Sequence, residues 1–204
     1  MRNFGYHRRM PYPSRSQAVH DPKILRAIAH PVRNRILTEL NATGPMRAAD
    51  LARELDLPAN QMSFHLRQLA KYGLVEEDPE AARDKRDRVW RPTSPDGVSV
   101  NLTELEKEPG GKAASAVFRQ HAASWGHLVV DAAYGDDREP DILRTVNESA
   151  VRLTKDEAIE MAGELDAVLS RWTERTRGTD DGRRTYLLFS VLQPYPETAR
   201  GVEG

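Results

Sequence analysis

Residues 58–75 read P-A-N-Q-M-S-F-H-L-R-Q-L-A-K-Y-G-L-V, and the fold of the first half turns on them. Pro58 suits a helix start, because its fixed φ is pre-set for the first turn and its missing N–H would have no partner there. Gly73 suits the stop, since glycine enters the left-handed conformation without a Cβ penalty. Between them Met62, Leu66 and Leu69 recur at four- and three-residue steps, which makes one narrow apolar stripe for a core. The rest of the surface carries Asn60, Gln61, Ser63, Phe64, Arg67, Gln68 and Lys71. Amides, a hydroxyl, a guanidinium and an ammonium are the groups that pair with base edges and phosphates, so this face can read a major groove. A merely solvated face would have a similar composition, and the neighbouring segments decide between the two.

Upstream, Asp21 can cap a helix that opens on Pro22 and turns Ile24, Leu25 and Ile28 inward. A second helix begins near Pro31, with Val32, Ile36, Leu37 and Leu40 at helical spacing, and stops at the Thr43-Gly44-Pro45 turn. A third covers about residues 48–55 with Leu51 and Leu55 inward, and Asp56-Leu57-Pro58 turns it into the reading helix. Downstream of Gly73 the period becomes extended: residues 74–77 and 88–91 are short strands flanking a polar stretch with Arg83, Lys85 and Arg86. The pattern predicts a two-stranded wing whose basic tip contacts phosphates.

At this point the chain resembles a known family. Ala29-His30-Pro31-Val32-Arg33-Asn34-Arg35-Ile36-Leu37 looks like the A-x-P-x-R-x-x-I-L opening of the ArsR-like winged-helix regulators. Ser63-Phe64-His65-Leu66-Arg67-Gln68-Leu69 followed by Gly73-Leu74-Val75 is similar to that family's S-x-H-L-x-x-L and G-L-V elements. The resemblance covers roughly residues 21–92 and implies a homodimer that binds operator DNA, usually as a repressor, with a ligand altering affinity. It departs in one respect. Metal sensors of the family carry C-x-C-D-L before the reading helix, where this chain has Arg47-Ala48-Ala49-Asp50-Leu51. Without the thiolates, soft-metal sensing through that site is excluded. His121, His127 and Asp131 stand on a later helix, the last two at i, i+4, but they are too few to close a metal shell. His30 and His65 read as structural residues inside fold motifs.

Charge divides the chain. The 204 residues carry a formal net charge of −1, yet residues 1–95 hold 17 Lys and Arg against 11 Asp and Glu, while residues 96–204 hold 13 against 20. A polyanion-facing first half and a second half with another task are implied. There is no cysteine, so disulfides and thiolate sites are absent together. No apolar run has the length of a membrane span, and the basic N-terminus has no apolar segment behind it, which leads to a cytoplasmic expectation and no membrane partner. Residues 1–20, with Arg2, Arg8, Arg9 and Arg15, read as a basic tail.

In the second half, residues 98–102 alternate as a half-buried strand does, and residues 103–111 are a charged connector. A long helix over residues 112–134 has apolar residues around much of its circumference. Val117, Phe118, Ala122, Trp125 and Val129 are its expected dimerisation residues. Residues 142–153 are weakly patterned, with room for a strand. Thr154-Lys155-Asp156-Glu157 fits a capping box for a helix that runs to about Arg177 with Leu165, Val168, Leu169 and Trp172 on one side. Residues 184–192, R-T-Y-L-L-F-S-V-L, are apolar on both faces, which predicts a covered strand.

These readings converge on an α+β, mainly helical chain: a tail at 1–20, a winged helix-turn-helix at 21–95, and at 96–204 a helical module with a small β component for dimerisation and sensing. No motif for nucleophilic, phosphate-binding or zinc-hydrolytic chemistry occurs, so the chain reads as a binding protein with no cofactor and no metal. The expected function is a homodimeric, sequence-specific repressor. Asn60, Gln61, Ser63, Phe64, Arg67, Gln68 and Lys71 face operator DNA, with Arg47, Arg83, Lys85 and Arg86 beside them. The alternative is a winged helix that binds protein and has no specific DNA. Trp125, Trp172, Tyr186 and Phe189 either line a pocket for an organic or protein effector or fill a small core.

Overall fold

The first two helices start where the sequence supplies a cap or a proline. In the computed structural model, which describes residues 17–19, 21–82, 88–94, 97–136, 139–179 and 182–196, the Asp21 carboxylate accepts from the Lys23 N–H at 2.8 Å and opens α1 (Pro22–Ile28). α2 (Pro31–Thr43) again begins on proline and stops at Gly44. α3 (Ala48–Glu54) and α4 (Ala59–Lys71) are joined by a tight turn in which Asp56 holds a positive φ of 49°. Aspartate is among the few residues with a side chain that tolerate that region. Gly73, at φ 66°, ends α4 with two reverse hydrogen bonds, Gly73 N–H to Ala70 C=O at 2.9 Å and Leu74 N–H to Leu69 C=O at 3.0 Å. Leu69 and Leu74, both buried, close the apolar contact that goes with this stop.

The wing is larger than its two predicted strands. β3 (Val75–Glu77) and β4 (Val89–Pro92) pair antiparallel as expected, but β2 (Met46–Arg47) adds on the far side of β4 to give the order β2-β4-β3. Two residues are too few to show a period, and only pairing with Trp90 and Val89 makes them a strand. The N-terminal tail also ends earlier than expected, because β1 (Gln17–Val19) pairs in parallel with β5 (Val98–Val100). The predicted connector contains a short helix, α5 (Leu102–Leu105), with the Asn101 side chain accepting from the Glu104 N–H. The remaining helices are α6 (Gly111–Tyr134) and α7 (Lys155–Thr176). Among the described residues no helix is long and apolar enough to cross a membrane.

The chain is mainly helical, with its main core in the first half. Ile36, Leu40, Leu51, Met62, Leu66 and Leu69 are fully buried and meet Leu74, Val75 and Trp90 of the sheet. A satellite cluster of Leu25, Leu105 and Ala114 joins α1, α5 and the first turns of α6. Beyond that the burial stops. Only Gly111, Ala114 and Ser115 of α6 are buried, and no residue of α7 is.

Residues 142–153 and 184–192 form no strand, which corrects both expectations for the second half. Residues 185–192 are all exposed, so the predicted covering is missing within the chain. A strand exists only as part of a ladder, and among the described residues none pairs with either run. The segment that follows α7 also reaches back to α2: the Arg177 guanidinium donates to Asn41 C=O at 2.8 Å and the Gly178 N–H to Thr43 C=O at 2.9 Å. The half-buried joint is completed by Glu39, which accepts from the Thr43 and Thr185 hydroxyls at 3.0 and 2.7 Å.

Candidate nucleic-acid interface

α4 presents one face to the core and the opposite face to solvent, as its sequence requires. Asn60, Gln61, Phe64, Arg67 and Lys71 are exposed, whereas Ser63 and Gln68 are half-buried at the edges. The Ser63 hydroxyl donates to Ala59 C=O at 2.9 Å, and the Asn60 side-chain oxygen accepts from the Gln61 N–H. Among the described residues the side chains of Gln61, Arg67, Gln68 and Lys71 make no hydrogen bond or ion pair, which leaves their donors and acceptors available to a ligand. Phe64 is half exposed, a large ring in water on an otherwise polar surface.

The face is held firmly. Three buried anchors, Met62, Leu66 and Leu69, fix the rotation of α4 about its axis, and the turn at Asp56 and the stop at Gly73 fix its ends. His65 is buried beside that stripe, with its ring centroid 4.9 Å from the His30 ring at the start of α2 and 5.4 Å from Phe64. The His30 and His65 imidazoles are pushed below their ordinary pKa, first by burial and next by the Arg33 cation. Arg33 itself donates to Ala27 C=O at 2.6 Å and Arg26 C=O at 3.1 Å, so the arginine of the α2 motif satisfies free carbonyls at the end of α1.

Arg47 is placed differently from the residues of α4. Its guanidinium makes a two-pronged contact with Asp50, 2.6 and 3.1 Å, and Asp50 also accepts from Arg53 at 2.9 Å. The two arginines hold the Asp50 carboxyl below its usual range, Arg47 foremost. Arg53, whose side chain is 78% exposed, is a further cation beside Arg47 that no local motif marks in the sequence. On the wing, Arg91 pairs with Glu76 at 2.9 Å and Arg88 with Glu77 at 3.5 Å, which neutralises the base of the hairpin. Arg83, Lys85 and Arg86 lie outside the described residues.

Elsewhere, Val117 and Ala122 of α6 are exposed and Phe118, Trp125 and Val129 half-buried. His121, His127 and Asp131 are all exposed. Trp125, Arg184, Thr185 and Leu187 line a cleft of about 400 Å³ against Asn34, Arg35, Thr38, Glu39 and Glu54. Of the four aromatics expected at a pocket only Trp125 is there, and Trp172 and Tyr186 stand in solvent.

Residues 28–78 match the family described as a helix-turn-helix domain. A solved structure described as "Structure of Disulfide formed AbfR" is 15% identical, covers 54% of this chain and 77% of that chain, and superposes with a TM-score of 0.29, too low to bear on fold or function. No curated protein matches the chain.

Proposed function

We propose that this protein is a homodimeric, sequence-specific DNA-binding transcription regulator of the ArsR-like kind, acting as a repressor, with α4 in the major groove and the wing on the backbone. The observation that carries the proposal is the unengaged polar face of α4 on a helix anchored at three buried positions, within a helix-turn-helix domain. Gln61 can pair with adenine, Arg67 with guanine or phosphate, and the Phe64 ring can meet a thymine methyl. Arg83, Lys85 and Arg86 supply the phosphate contacts of the wing tip, and Arg47 orders the start of α3 through Asp50. The second half, residues 96–204, serves dimerisation through the α6 residues Val117, Phe118, Ala122, Trp125 and Val129, and any effector is an organic molecule or a protein.

The test is to select DNA fragments retained from a genomic pool and then measure Gln61→Ala and Arg67→Ala on the selected site and on random DNA. Each substitution should cost about 1–3 kcal/mol on the selected site and much less on random sequence. Equal losses on both would remove base reading by α4. Binding that is indifferent to salt would point to the protein-interaction alternative, because phosphate contacts release counterions.

A further inference from the structure

α7 satisfies every local requirement of a stable helix and has no fully buried residue. Its capping box is complete, with the Thr154 N–H donating to the Glu157 carboxylate at 2.7 Å and the Glu157 N–H to the Thr154 hydroxyl at 3.3 Å. Its apolar stripe nevertheless lies in solvent: Leu165, Val168, Leu169 and Trp172 are each 40–55% exposed. Residues 185–193 are nine consecutive uncharged residues, T-Y-L-L-F-S-V-L-Q, and this run is also uncovered. An isolated amphipathic helix and an unpaired apolar run are not what a finished protein surface looks like.

The accessible surface makes the same point. It is 16262 Å², against roughly 9,600 Å² for a compact monomer of 23.0 kDa. Even if every undescribed residue contributed the surface of an unfolded chain, the described residues would exceed a compact monomer of their own mass by roughly 2,000 Å². A standard interface buries about 800 Å² on each partner.

We infer that residues 184–192 form a β-strand only between two copies of this chain, in a ladder that lays the apolar stripes of both α7 helices against it, so that the second half is completed by its twin. This deepens the dimer reading above and rests on it. Three features favour a second copy as the occupant. Past Arg184 the run is uncharged within a half of the chain that is net acidic, so pairing it antiparallel with itself sets Arg184 opposite the uncharged end and brings no like charges together. It is apolar on both faces, as a strand covered on both sides is. It also lies on the expected dimer helix: a Cβ added at Gly126 of α6 would stand 3.3 Å from the Phe189 ring, next to Trp125. The uncovered surface is therefore continuous from α6 to the run.

The experiment is backbone hydrogen exchange of the full chain with no DNA present, at concentrations on either side of its dissociation measured by sedimentation. Amides of residues 184–192 should exchange at least tenfold more slowly in the dimer than in the monomer. Leu188→Pro, which removes one donor from the ladder at a position 63% exposed in the single chain, should weaken association by tenfold or more with helix content unchanged. A dimer whose residues 184–192 exchange freely, a dimer that keeps its affinity in Leu188→Pro, or a wild-type chain that stays monomeric would each overturn the inference. A monomer that still selects DNA would leave the DNA-reading proposal standing. A dimer with a protected run that binds no DNA would do the reverse.

Discussion

α4 and α7 are both amphipathic helices, and they end up in opposite circumstances. In 13 residues α4 buries Met62, His65, Leu66 and Leu69, whereas α7 buries none of its 22. α4 is met by α2, α3 and the sheet of its own chain, all within about forty residues in sequence. Among the described residues no element covers the apolar stripe of α7 in that way, and the chain just past its end reaches α2 through the polar joint at Arg177 and Gly178. An amphipathic pattern states that a helix needs a covering surface, and it is silent about which molecule supplies it.

Core truncation sharpens that contrast most. Leu66→Ala should cost about 2–5 kcal/mol of unfolding free energy, as the loss of a fully buried leucine does. Leu169→Ala in α7 should stay within about 0.5 kcal/mol at concentrations where the chain is monomeric, and should weaken self-association when it is not. Urea unfolding at two protein concentrations separates these effects. A large, concentration-independent loss for Leu169→Ala would break the comparison, because α7 would then be packed within its own chain.

The same contrast explains what could be seen from the sequence. The reading helix was legible because its signals are local: a proline, a three-residue apolar stripe and a glycine within sixteen positions. The capping box of α7 was legible for the same reason. β2 was not, since Met46 and Arg47 become a strand only by meeting Trp90 and Val89. The pairing of Gln17 with Val98 was hidden too, because it joins segments about eighty residues apart that carry no local mark. Residues 184–192 failed differently. Their composition reports a buried strand, and among the described residues no partner strand makes them one. For the interface, sequence placed Gln61, Phe64 and Arg67 on one exposed face, while the commitment of Arg47 to Asp50 and the exposure of Arg53 required coordinates.

A smaller effect is expected at the start of α7. Removing the hydroxyl cap with Thr154→Ala should cost about 1 kcal/mol of local helix stability. In the monomer this should appear as lost helical circular dichroism with the main unfolding transition unmoved, since no buried residue links α7 to the core. If the main transition shifts with it, the two halves unfold as one unit and the contrast drawn above is too sharp.

The smallest effect concerns pH and centres on two rings of the first half, with His121 of α6 adding a like charge beside His30. The His30 and His65 rings lie 4.9 Å apart beside Arg33, and the Nδ1 atoms of both are buried without a hydrogen-bond partner among the described residues. Burial and the Arg33 charge both disfavour a proton on either ring, so their folded pKa values lie below the ordinary 6.5. The sign follows: above 6.5 both rings are neutral in the folded and unfolded chain and stability is unaffected, whereas below it the unfolded chain binds protons that the folded chain does not. Stability is therefore present above pH 6.5 and is lost as pH falls through the lowered folded values. The Asp50 carboxyl, also lowered, acts only below its ordinary 3.8 and does not overlap this window. The urea midpoint of the winged helix should decline between pH 7 and about pH 5, and the decline should flatten in His65→Gln. An equal slope in that variant would move the cause away from the ring pair and leave the link between α2 and the reading helix as simple packing.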